Sequence, residues 1–188
     1  MSIFIFGLLL FFGIHSVSIV NNVWRDQLVA KIGEGPWKGI YSVIALIGLV
    51  LLVLGFGEAN TAGTLYVPPL WLKHISLMLL LPVFPLLFAA YLPGRIKVAT
   101  RHPMLLAVKC WAFAHLLASG SVAAVVLFGF FLCWAVIDRI SLTSRTTRPL
   151  PALPVSWLND IIAVVGGLAV YLLFLLYLHE WLFGVAPV

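Results

Sequence analysis

The stretch IFIFGLLLFFGIHSVSIVN, residues 3–21, decides the fold. It carries no Lys, Arg, Asp or Glu and matches the roughly 20 apolar residues a helix needs to cross a bilayer. No Lys or Arg precedes it, and it runs on too long for a signal-peptide core, so it reads as a first permanent span. Working outward, five more apolar runs lie near residues 39–57, 70–92, 103–118, 121–137 and 160–179. The whole chain of 188 residues is 63% hydrophobic and 9% charged, with a mean hydropathy of +1.16. A soluble domain is nearer half apolar and a quarter charged, which excludes that class. The expected architecture is an all-α, polytopic membrane bundle of about six transmembrane helices, one domain over residues 1–188.

The connectors are short and rich in breakers. Gly33-Glu34-Gly35-Pro36 follows span one, Pro68-Pro69 precedes span three, Pro93-Gly94 ends it, and Pro149, Pro151 and Pro154 precede span six. Pro82 and Pro85 fall inside span three and predict a bend or break there, because each removes a helical N–H donor. Ser119-Gly120-Ser121 leaves room only for a tight turn, which predicts an antiparallel hairpin of spans four and five.

Charge sets the orientation. Arg25, Lys31 and Lys38 flank loop one, Arg95, Lys97 and Arg101 fill loop three, and Arg139, Arg145 and Arg148 fill loop five. Nine of the eleven cations thus fall on one side of a six-span chain, the cytoplasmic side by the positive-inside rule. Both termini are expected on the periplasmic face of a bacterial inner membrane. The net charge of +5 reads as this orientation signal and an attraction to anionic lipid, not as nucleic-acid binding.

Ionisable groups within the bilayer cost a few kcal/mol and call for an explanation. His15 lies about 10 Å deep in span one and His115 about 18 Å along span four, by the helical rise. Ser18 and Asn22 extend the His15 face in one direction, Phe11 and Gly7 in the other. Small Gly7 would leave room there for a flat ligand. Trp111 stands one turn before His115. Two readings stand for each histidine: a hydrogen bond to a neighbouring helix, or ligation of haem iron by opposed imidazoles, as in membrane b-type haems. His74 and His179, near span ends, read as interfacial anchors with ligation as the reserve. Arg101-His102-Pro103 serves equally as a structural helix start or as a cationic group for a carboxylate or phosphate such as a haem propionate. Lys109 shares the His102 face.

The remaining features are bland. Cys110 and Cys133 sit in apolar stretches without metal or haem-attachment spacing and read as small buried hydrophobes, with a redox-sensing Cys110 the minority alternative. Trp24, Trp37, Trp71, Trp157 and Trp181 flank spans as an aromatic belt does. Glu34 reads as a solvated loop carboxylate, and Asp138-Arg139 as a pair or as partners of the loop. No GxSxG, HExxH, P-loop or dinucleotide fingerprint is present.

Several blocks resemble the NnrU family of bacterial membrane proteins: Gly13-Ile14-His15-Ser16, Trp37-Lys38-Gly39-Ile40-Tyr41-Ser42, Arg101-His102-Pro103-Met104 through Lys109, Trp111 through Ala118, and Phe130 through Ser141. The resemblance implies a link to denitrification and nitric oxide metabolism. That family is in turn similar to plant and cyanobacterial zeta-carotene isomerase, which carries haem b on histidines and switches a ligand with redox state. By this resemblance His15 and His115 match the two haem-binding histidines. The isomerase's alternative cysteine ligand falls at Ala112 here, with Cys110 displaced by two, so carotene isomerisation is not carried over. Ser119-Gly120-Ser121 stands where many members have Asn-Gly-Asp.

The expectation is a membrane protein that binds haem b between spans one and four through His15 and His115, in a redox or nitrogen-oxide process with a membrane redox partner. The resemblance assigns no reaction. Arg-His-Pro before a late helix also resembles membrane methyltransferases, for which the C-terminal region offers only His179-Glu180. A non-catalytic assembly subunit of a respiratory complex is the third reading, with Gly166-Gly167 as its close-contact face.

Overall fold

The structure is a computed structural model in which residues 1–145 and 153–187 are described. Arg148, Pro149 and Pro151 of the expected fifth loop lie outside them. The described residues form helices α1 (Ser2–Val20), α2 (Asn22–Ile32), α3 (Glu34–Ala59), α4 (Leu70–Leu80), α5 (Val83–Tyr91), α6 (Arg95–Thr100), α7 (Pro103–Ala118), α8 (Val122–Ser141), α9 (Trp157–Leu173) and α10 (His179–Phe183). A 3₁₀ turn, Asn60–Ala62, extends α3, and a π-helical turn, Phe174–Leu178, joins α9 to α10. No strand occurs among the described residues, only one antiparallel bridge between Thr64 and Ser121. The protein is an all-α, multi-helix membrane protein.

Among the described residues, five helical stretches are long and apolar enough to cross a bilayer: Ser2–Val20, Glu34–Ala62, Leu70–Tyr91, Val122–Ser141 and Trp157–Phe183. The fourth expected span, α7, forms where the sequence places it but is only 16 residues long. At 1.5 Å per residue that is about 24 Å, short of the roughly 30 Å of hydrocarbon.

Proline positions explain the helix boundaries. The expected break in span three falls between Leu80 and Val83. Pro82 takes the N-cap of α5 and Pro85 its third residue, within the first turn, where backbone N–H groups have no intrahelical partner anyway. The same logic moves the start of α3. Gly33, with φ 91°, is the actual break, and Pro36 fits the first turn of a helix beginning at Glu34. The breaker-rich connector is therefore largely helical. The rest of loop one is α2, capped by the Asn21 side chain, which accepts from Trp24 N at 2.8 Å. Glu34 is not a loop residue but pairs with Lys38 one turn on, at 2.9 Å.

The chain divides into two compact units, Met1–Val67 with Ser119–Thr146, and Pro68–Ala118 with Thr147–Val188. In the first, α1 and α3 run antiparallel and nearly touch through glycine. A methyl group on Gly7 would lie 2.7 Å from Leu52 N, and one on Gly48 2.7 Å from Phe11 N. Such small-residue contacts let helices gain dispersion energy without a hydrophobic drive. Phe4, Leu8, Phe12, Leu52 and Ala123 fill the interior, and α8 lies along α1 through Phe131 and Trp134. At the far end of α8, Asp138 pairs with Arg145, so the loop partner and not Arg139 takes the carboxylate.

In the second unit α7 packs on α4 and α5, and α9 on α5. Gly167 meets the Pro85 backbone and Gly166 the Phe88 ring, so the Gly-Gly pair is used inside this chain. Tyr171 donates to the Leu77 carbonyl at 3.0 Å, and buried Ser76 donates to the Ala114 carbonyl at 2.7 Å. Asp160 caps α6 by accepting from Arg95 N at 2.8 Å and Ile96 N at 3.0 Å. Beside it, Asn159 donates to the Pro93 and Pro154 carbonyls. Cys110 packs against the Val83, Leu86 and Ala107 core, while Cys133 is exposed. α7 belongs to the second unit and α8 to the first.

Candidate functional site

His15 belongs to the first unit and His115 to the second, and each is described by itself. Around His15 the structure builds an aromatic box. Phe11, one turn earlier, stacks on the imidazole with ring centres 4.1 Å apart and planes 26° apart. Tyr41 of α3 and Trp134 of α8 meet it edge to face, with ring centres 5.2 and 5.8 Å away. His15 Nδ1 lies 2.7 Å from the Phe11 carbonyl oxygen. A carbonyl only accepts, so Nδ1 carries the proton and the lone pair resides on Nε2, the tautomer a metal-binding histidine adopts.

The Trp134 indole N–H of this box is buried and has no hydrogen-bond partner. Such a donor costs about 1–3 kcal/mol, so the site is short of one acceptor. Phe11 covers one face of the imidazole, and α3 backbone fills the space beside Gly7, so Gly7 leaves no room for the expected flat ligand. Asn22 belongs to the next helix, where it hydrogen-bonds Asp26 at 3.3 Å.

His115 lies near the end of α7 with the same local geometry, Nδ1 2.8 Å from the Trp111 carbonyl and the Trp111 ring centre 5.2 Å away. The side chain beside it is His179. The two imidazole centres are 6.3 Å apart and their planes 23° apart. His179 in turn holds the Val185 carbonyl at 2.7 Å through Nδ1.

Arg101 and His102 form the joint between α6 and α7. Arg101 is exposed and His102 half-buried, and Pro103 opens α7 as the tripeptide predicts. Arg101 has φ 60°, the one positive φ among described non-glycine residues. His74 is exposed on α4. No group of three or more His, Cys, Asp or Glu is arranged for a metal ion among the described residues, and neither cavity described is lined by His15 or His115.

The family model described as NnrU protein matches residues 3–187, which takes in both histidine clusters and the α6–α7 joint. The chain belongs to the NnrU family. No curated protein and no solved structure matches it. Membership makes the histidine environments features of an NnrU protein, and it agrees with the blocks read around His15, Arg101 and His115.

Sequence reasoning missed Tyr41 and Trp134 as walls of the His15 box and ranked His179 as an anchor. Tyr41 and Trp134 come from helices far along the chain, so helical spacing around His15 carries no trace of them. His179 is redirected by a π-turn that has no sequence signature.

Proposed function

We propose that this NnrU-family protein is an integral protein of the bacterial cytoplasmic membrane that carries histidine-ligated haem b. Its role on this reading is a redox or nitrogen-oxide process served with a membrane redox partner. His15 is the donor that carries the proposal. The supporting observation is its box: an imidazole with Nδ1 tied to a backbone carbonyl, aromatic walls, and a buried indole N–H lacking an acceptor. His115 meets the same tautomer criterion. In the second unit, where His115 also lies, Arg101 beside His102 would offer the cationic group for a carboxylate such as a propionate. Haem, if held by these histidines, would supply one-electron chemistry and a metal that can bind a small gas.

The chain's own contribution is to hold the imidazoles in one tautomer and keep their surroundings apolar. The deciding experiment is a visible spectrum of protein purified from haem-replete cells. A b-type spectrum that collapses in His15→Ala is expected; a colourless, iron-free protein overturns the proposal.

A further inference from the structure

In the second unit, three local devices converge on His179. The π-helical turn Phe174–Leu178 ends at the residue before it, and because such a turn adds a residue, it rotates everything beyond it away from the face a continuous α-helix would present. Gly184, in the left-handed conformation with φ 69° and ψ 17°, then stops α10 and folds the chain back so that the Val185 carbonyl receives His179 Nδ1. Phe183 abuts the same ring at 5.1 Å. The outcome is two imidazoles, His115 and His179, each with Nδ1 given to a carbonyl and the lone pair therefore on Nε2. Their near-parallel rings lie 6.3 Å centre to centre.

We infer that His115 and His179 are joint ligands of one first-row transition-metal centre. An ion bound to two Nε2 atoms at about 2.0–2.1 Å each keeps the ring centres roughly 5–6.5 Å apart, and the observed spacing falls in that window. Imidazole suits iron, copper, nickel and zinc. The anchoring of each opposite nitrogen by a backbone carbonyl is the outer-shell arrangement that orients metal-binding histidines. The metal is either a haem iron separate from any held by His15 or a bare divalent ion; each accepts the Nε2 lone pair of an imidazole. The inference rests on reading His115 as a metal donor, as proposed above, and replaces the interfacial-anchor reading of His179 with a ligand role.

The test uses the full-length protein and its His179→Ala, His179→Gln, His115→Ala and His74→Ala variants in detergent, each checked for monodispersity and melting. One arm records the absorption spectrum and iron content of protein from haem-replete cells. The other titrates haem-free protein with Co²⁺, following its visible ligand-field bands. Loss of metal by about tenfold or more in His115→Ala and in both His179 variants, with His74→Ala unchanged, is the expected result. The arm in which it occurs identifies haem or bare ion. Haem binding that needs His115 but ignores both His179 variants overturns this inference and leaves the haem proposal standing. Co²⁺ binding lost with His179 in a protein that never carries haem does the reverse. Wild-type protein that binds neither metal overturns both.

Discussion

At the scale of single residues, glycine does two distinct jobs in the membrane helices. Gly7 and Gly48 sit where any methyl group would strike backbone of the facing helix, whereas Gly13 and Gly57 face open space. Gly48→Ala is therefore expected to destabilise by about 1–3 kcal/mol through overpacking. Gly13→Ala should be neutral or stabilising by up to about 1 kcal/mol through helix propensity. Thermal unfolding in one detergent compares them directly, and equal melting shifts would refute the close α1–α3 approach. Asp160 offers a second case. Its carboxylate is the side-chain acceptor for the α6 N–H groups of Arg95 and Ile96, so Asp160→Ala is expected to cost about 1–2 kcal/mol, with Asp160→Asn milder.

At the scale of elements, the broken helix α4–α5 is braced by contacts from α9 on either side of its break. Gly167 gives way to the Pro85 backbone, and Tyr171 bonds the Leu77 carbonyl next to the break. Tyr171→Phe should cost about 0.5–1.5 kcal/mol, and hydrogen exchange should quicken around Leu77 to Leu81 more than in α8. Uniform exchange would argue that the break needs no such support. This element was legible in the sequence because Pro82 and Pro85 act locally. The helical nature of residues 22–38 was not, since Gly33, Gly35 and Pro36 look like a loop until Pro36 is placed in a first turn. The His15 box was half legible. Phe11 follows from helical spacing, but Tyr41 and Trp134 depend on how α3 and α8 pack, which periodicity does not encode.

At the scale of the whole molecule, composition alone excluded a soluble fold, and the spans follow from hydropathy to within a few residues except at α3. Orientation is an expectation that charge bias supports. Reporter fusions after residue 187 should give active alkaline phosphatase and dark cytoplasmic fluorescent protein, while fusions in the Arg95 to Arg101 segment should do the opposite. The reverse pattern would invert the topology. The partition into units has its own consequence for biosynthesis. The first unit is written in two instalments, residues up to Val67 and then from Ser119, with α4 to α7 translated in between. Tyr41 follows His15 off the ribosome early, but Trp134 emerges much later, so a nascent chain passes through a stage in which His15 has only two of its three neighbouring rings. At that stage the imidazole lacks the wall that α8 later supplies through Trp134.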